Sequence, residues 1–221
     1  MPPATPSYRP PPEGPLPLLH VDAHLLVLDK PSGLLSVPGR GADKADCLAS
    51  RVQRHYPDAL VVHRLDMETS GLILMARSPE MQRALGLLFE TRRIHKRYVA
   101  CVGGCPEPAA GIVDLPLITD WPNRPRQIVD HALGKPARTH YRVVAGGPQA
   151  GSRVALEPVT GRSHQLRVHM QALGHPILGD ALYAPAELQA AAPRLLLHAE
   201  WLGFTHPATD EPCEFFSPAP F

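Results

Sequence analysis

Short apolar runs rich in β-branched and aromatic residues follow one another along this chain, most of them with no helix between. Leu-Leu-His-Val at 18–21 and Leu-Leu-Val-Leu at 25–28 read as two strands broken at Asp22-Ala23 and stopped by Pro31-Ser32-Gly33. Val61–Leu65 and Gly71–Ala76 are strand-like around a polar turn at 66–70, and Lys96–Val102, Thr139–Ala145 and Arg153–Val159 have strand composition. Leu195–Pro207 supplies a late strand and Glu214–Phe216 a last short one. Helices interrupt this series irregularly. Ala45–His55 ends before Pro57, Pro79–Thr91 begins on a residue suited to a first turn, and Ser163–Gly174 has a plausible N-cap serine and a glycine stop. A regular β-α-β alternation is missing, which predicts an α+β fold with a mixed, largely antiparallel sheet in place of a doubly wound parallel one.

Residues 1–17 contain eight prolines and almost no apolar periodicity, so they are expected to form an extended, mobile tail, with one compact domain over 18–221. No apolar run approaches the roughly 20 residues of a membrane span, and the start of the chain lacks the basic-then-apolar order of a signal peptide. Four cysteines, Cys47, Cys101, Cys105 and Cys213, show no disulfide framework, and together these features predict a cytoplasmic protein. Cys101 and Cys105 have no second pair to complete a zinc site, and the spacing of His63, His164 and His169 matches no zinc motif. No metal is expected, and the histidines read as structural hydrogen-bonding residues. Glycine loops of the Walker or dinucleotide type are absent, which argues against nucleotide hydrolysis and nicotinamide chemistry.

Net charge is only +1, yet its distribution is uneven. Residues 81–142 hold ten Lys/Arg against five Asp/Glu, densest at Arg92, Arg93, Lys96 and Arg97. Such local excess is the footprint of a phosphate-binding face, although any single arginine can equally belong to a solvated charged surface.

Three stretches carry chemistry. His63-Arg64-Leu65-Asp66-Met67-Glu68-Thr69-Ser70-Gly71-Leu72 puts an acid in a turn between apolar strands, beside an arginine and short hydroxyl residues. A carboxylate there can be held by charge-assisted hydrogen bonds at the mouth of a cleft, or can simply accept backbone N–H groups of its own turn. Lys96-Arg97-Tyr98-Val99-Ala100 sets a tyrosine in a strand among basic residues, where a core role is the commoner one. Thr160-Gly161-Arg162-Ser163-His164-Gln165-Leu166-Arg167 places a glycine turn before a helix whose His164, Arg167 and Gln171 lie roughly on one side.

Together these motifs resemble those of the RluA-type pseudouridine synthases, as do the strings DLPLITDWPNRPRQIVD, GKPARTHY and PRLLLHAEWL, so that the resemblance runs from about Leu18 onward. It implies that family's catalytic fold, a mixed sheet with flanking helices around a cleft, without the extra N-terminal RNA-binding module that several relatives carry. It implies isomerisation of uridine to pseudouridine in structured RNA, a ribosomal (23S rRNA) stem-loop or a tRNA anticodon stem-loop, with no cofactor. By the same resemblance Asp66 is the catalytic carboxylate, acting at uracil C6 or at C1′. Arg167 is its ion-pair partner, and Tyr98 lies against the base, with its hydroxyl available to move a proton. Arg64 fills the space that a flipped uridine vacates. The basic residues Arg92, Arg93, Lys96 and Arg97, with Arg124 and Arg126, are expected to contact phosphates. No long apolar stripe calls for a partner subunit, so a monomer is expected. Two other classes fit parts of the pattern. One is an RNA-binding factor that keeps the fold without catalysis, and the other is a hydrolase pairing Asp66 with Glu68 or Glu157.

Overall fold

A computed structural model of the chain describes residues 8–147 and 151–221. The strands are β1 (Leu18–Val21), β2 (Leu25–Lys30), β3 (Leu60–Val61), β4 (Ser70–Ala76), β5 (His95–Val102), β6 (Ala110–Asp114), β7 (Leu117–Thr119), β8 (Gln127–Val129), β9 (Arg138–Gly147), β10 (Gly151–Pro158), β11 (Leu197–Thr205) and β12 (Pro212–Phe216). The helices are α1 (Leu48–Gln53), α2 (Pro79–Glu90), α3 (Gln165–Ala172) and α4 (Ala186–Ala190). One sheet follows the order β1-β2-β4-β11-β5-β10-β9-β6, with β3 added to β4 and β12 to β11; β7 and β8 form a separate hairpin. Among the described residues only β4 and β11 run parallel, through His198 opposite Ser70 and Ala199 opposite Gly71. The remaining pairings described are antiparallel, so the α+β fold with a mixed, largely antiparallel sheet is what the chain adopts.

That one parallel junction joins two cores. The first gathers Leu25–Leu28, Leu48, Val52, Leu72–Met75 and Leu85 under α1 and α2. The second gathers Ala100, Val102, Tyr141, Val154, Leu156, Leu166 and Met170 under α3, and Tyr98 packs against both. Gly71 sits at the junction with φ 111°, and a Cβ there would collide with the Ala199 backbone. Only glycine takes that conformation and allows that approach. Side chains seal the same seam: Ser70 Oγ bonds His198 Nδ1 at 2.9 Å, and the other ring nitrogen bonds the Ser217 carbonyl at 3.0 Å.

Several elements differ from the sequence expectation. The strand over Val61–Leu65 shrinks to Leu60–Val61, because the Leu74 N–H is taken at 2.9 Å by His63 Nε2 in place of a strand carbonyl. Burial pushes that imidazole down to about 3, with the Lys96 charge adding, so it is neutral and free to accept. The first helix is trimmed to α1, whose Cys47 cap exchanges hydrogen bonds with Ser50. Ser163 does not cap α3; His164 occupies the N-cap position in the left-handed region, φ 54°. Strands β6 to β8 and helix α4 were not anticipated. The second half of the Pro-rich segment also differs from a free tail. Tyr8 Oη donates to the Asp46 carbonyl at 3.0 Å and accepts from Leu35 N–H at 3.1 Å, Arg51 reaches the Pro11 carbonyl at 2.8 Å, and Leu16 packs against the first core. Residues 1–7 lie outside the described residues. None of the described helices is long and apolar enough to cross a membrane.

Candidate active site

Asp66 rides on an irregular loop between β3 and β4 that the segment following β2 grips from below. Lys30, fully buried, donates from Nζ to the carbonyls of Pro31 (2.9 Å), Leu34 (2.7 Å) and Met67 (2.9 Å). Gly33 N–H reaches the same Met67 carbonyl at 2.9 Å, Ser32 Oγ donates to Glu68 O at 2.7 Å, and Ser36 Oγ both donates to Leu65 O and accepts from Leu65 N–H. Every residue from 65 to 68 except Asp66 therefore has its backbone held by this segment. Burial pushes Lys30 down to about 7, against the charges of Glu68 and Asp66 and the three carbonyls, which favour the ammonium.

The Asp66 side chain projects into a cavity of about 590 Å³, within the usual range of small-ligand sites, about 300–1,000 Å³. Its walls are Val62, Arg64 and Thr69 on the Asp66 loop, Phe89 and Arg92 at the end of α2, Lys96 and Tyr98 on β5, and Arg162, His164 and Arg167 at the start of α3. The carboxylate is 25% exposed, and its Oδ2 lies 3.7 Å from Arg167 Nη1 and 3.9 Å from His164 Nε2. Arg167, 4% exposed, is fixed by another acid. Its Nε and Nη2 form a bidentate pair with Asp180 at 2.8 and 2.7 Å, and Asp180, 0% exposed, also accepts from the N–H groups of Leu182 and Tyr183. The planar guanidinium thus spends one edge on Asp180 and turns the remaining nitrogen to Asp66, a division that a lysine could not make.

Tyr98 faces the cavity from β5, and no hydrogen-bond partner for its hydroxyl is present among the described residues. Burial pushes its phenol well above the usual range and the Asp66 carboxylate acts in the same direction, so Tyr98 is a neutral ring with an O–H.

Comparison with known proteins gives the family. An RNA pseudouridylate synthase family model matches residues 24–172. The chain belongs to this family. Over 215 residues, 97% of this chain and 98% of the relative, it is 56% identical to the dual-specificity RNA pseudouridine synthase RluA of Escherichia coli K12. It is 52% identical, over the same shares, to the RluA of Pasteurella multocida. Among solved structures, human RNA pseudouridylate synthase domain containing 1 matches with a TM-score of 0.78 at 28% identity, covering 96% of this chain and 87% of that one. Its domain containing 4 counterpart matches at 0.73 and 27%, covering 92% and 88%.

In this pseudouridine synthase the structure brings Asp66, Tyr98 and Arg167 to one cavity, with Arg64, Arg92 and Lys96 around it. Arg64 is exposed, its Nη2 3.5 Å from Ser163 Oγ across the opening. Arg93, Arg97, Arg124 and Arg126 stand elsewhere. Arg97 alternates to the other face of β5, pairs with Glu200 at 3.4 Å and stacks over Trp201, and Arg93 opens on a second depression beside that tryptophan. Arg124 and Arg126 lie on the β7–β8 hairpin, over Trp121 and Tyr183 respectively. Gln171 is exposed and apart from the site. Sequence reasoning missed Asp180, Arg162 and Lys30, and took His164 as purely structural. A buried arginine on α3 demands a carboxylate, and Asp180, 13 positions after it in Gly179-Asp180-Ala181-Leu182-Tyr183, is the first acid that follows it in sequence.

Proposed function

We propose that this protein isomerises uridine to pseudouridine in structured RNA, accepting both a ribosomal stem-loop and a tRNA anticodon stem-loop, with Asp66 as the catalytic carboxylate. One observation carries the reading: a single solvent-reachable aspartate aimed into a nucleotide-sized cavity that Arg167, His164 and Tyr98 also line. The 56% identity to a synthase named as dual-specificity supports the breadth of substrate. The reaction breaks the C1′–N1 bond, rotates the uracil and joins C1′ to C5, and its net proton movement is from C5 to N1. Atoms and electrons balance within the nucleotide, so the work falls on a nucleophile or charge stabiliser and on groups that hold the base and move one proton.

Asp66 serves as that nucleophile at either C6 or C1′, with Arg167 opposing its charge. Tyr98 offers an apolar face to the uracil and an O–H at its edge. The base must leave its stack to reach this depth, which costs a few kcal/mol, and Arg64 at the opening is placed to enter the vacated space. Arg92, Lys96 and Arg162 line the path of the backbone and take phosphates; Arg124 and Arg126 on the hairpin would extend that track. The cytoplasm, where these RNAs are found, is the proposed setting, and the monomer is the proposed working form. The hydrolase reading that pairs Asp66 with Glu68 or Glu157 gains no support, since neither glutamate lines the cavity.

The test is nucleoside analysis of uridine-labelled stem-loops of both kinds after incubation with the protein and no added cofactor. Pseudouridine is the expected product. Free uracil would replace this reading with a hydrolytic one, and binding without product would leave a non-catalytic RNA-binding protein.

A further inference from the structure

His164 begins α3 at the N-cap position, where a side chain ordinarily turns back to accept from the first helical N–H groups. It caps nothing. Its backbone is in the left-handed region at φ 54°, a conformation that costs a non-glycine residue about 1 kcal/mol and that persists only when the surroundings enforce it. What that backbone achieves is direction. The ring stands edge-on to Tyr183, with Nδ1 2.7 Å from Tyr183 Oη, and the opposite nitrogen, Nε2, 3.9 Å from Asp66 Oδ2.

The hydrogen-bond order is fixed from the far end. Gln127 N–H, at the start of β8, can only donate, and it donates to Tyr183 Oη at 2.8 Å. Of the two neighbours of Tyr183 Oη only His164 Nδ1 can accept, so the arrangement that leaves no phenol proton without a partner among the described residues has Nδ1 bare. The ring proton is therefore on Nε2, directed at the Asp66 carboxylate. The charged and titratable groups around the imidazole are Asp66 on its loop, Arg167 on α3, Asp180 and Tyr183 on the segment after α3, and Arg64 across the opening. Burial pushes the imidazole down from its ordinary value, Asp66 and Asp180 oppose, and Arg167 and Arg64 act with the burial, which leaves the ring neutral near pH 7.

We infer that His164 is a positioning residue for Asp66: held in one tautomer by the Gln127–Tyr183 relay, it donates from Nε2–H to the carboxylate and fixes its aim at the nucleotide. At 3.9 Å the contact is longer than a hydrogen bond, and it closes when RNA fills the cavity, as such contacts commonly do on substrate binding. Asp66 is then braced from two sides, by a guanidinium that sets its charge and by an imidazole that sets its direction. The inference rests on the proposed isomerisation, and it also ties the β7–β8 hairpin to the site through a backbone N–H.

Three substitutions separate this role from a merely conformational one. Glutamine places an amide N–H near the position of Nε2, whereas asparagine is too short to reach Asp66 but takes the left-handed backbone more readily. Single-turnover rates on a stem-loop substrate should leave His164→Gln within about threefold of wild type. His164→Asn and His164→Ala should fall about 10–100-fold at unchanged RNA affinity, the size of one lost hydrogen bond to a charged group. Asparagine tolerated as well as glutamine would overturn the proposal, because the backbone would then be what matters; so would wild-type rates in all three. Nitrogen NMR of the imidazole in the unaltered protein gives an independent reading. A proton on Nε2, lost or redistributed in Tyr183→Phe, is expected, and a proton on Nδ1 in wild type would overturn the relay even if the variants fail to fold. If wild type makes no pseudouridine, the functional proposal fails first, and the tautomer measurement still stands on its own.

Discussion

At the scale of single residues, the site depends on one acid placing a cation beside another. Asp180 accepts two hydrogen bonds from Arg167 and two from backbone N–H groups with no exposure to solvent. Asp180→Asn keeps the shape but leaves the guanidinium without its counter-charge. Breaking a buried pair in this way costs about 3–5 kcal/mol, measurable as a lower urea midpoint at unchanged slope. With Asp180 gone, Asp66 becomes Arg167's only acid within 4 Å, so the single-turnover rate should fall as well. A variant with wild-type stability and rate would show that Asp180 is dispensable. Arg167→Lys should also be slow, because an ammonium cannot serve both carboxylates in the geometry that the planar fork provides.

Among the elements, the loop carrying Asp66 is held by two neighbours, and each gives a prediction. Gly71→Ala forces a Cβ into the Ala199 backbone at φ 111°, and should cost roughly 2–3 kcal/mol while moving Asp66 with β4. Lys30 makes a pH-dependent contribution. Its value is about 7 in the folded chain against 10.5 ordinarily, so between those limits the unfolded chain binds more protons than the folded one. Stability from this group therefore rises with pH from about 7 toward 10.5, and Lys30→Met should flatten that slope in denaturation curves measured across the window. Legibility in the sequence follows the same division. Runs such as Leu25–Leu28 and Gly71–Ala76 were readable as strands because burial on both faces makes them continuously apolar, and Pro79 marks the start of α2 from local chemistry alone. The short strands β6 to β8, in a Pro- and Gly-rich stretch, form only because β9 and a hairpin partner supply their hydrogen bonds. The stretches that carry Asp66, Tyr98 and Arg167 were legible as strings. The Lys30 clamp, the Asp180 pair and the His164–Tyr183 bond join residues 13 to 37 positions apart, and no local pattern announces such contacts.

For the molecule as a whole, charge is sorted by face. Arg64, Arg92, Lys96, Arg162 and Arg167 share one cavity, while Arg97 is turned to the opposite side of the sheet and paired with Glu200. Arg92→Ala should weaken binding of all RNA substrates alike and lower the slope of log affinity against log salt by about one, and Arg97→Ala should leave that slope unchanged. Equal effects from both would place the RNA path elsewhere. Asp66 is the carboxylate on which the sheet, the clamp, the Arg167 guanidinium and the His164 ring converge. The most direct test compares the wild-type protein with Asp66→Ala on a uridine-labelled anticodon stem-loop under single-turnover conditions, with binding measured in parallel. Pseudouridine is expected from the wild type alone, with RNA affinity retained in the variant. Pseudouridine from Asp66→Ala at a comparable rate would contradict the role proposed for Asp66.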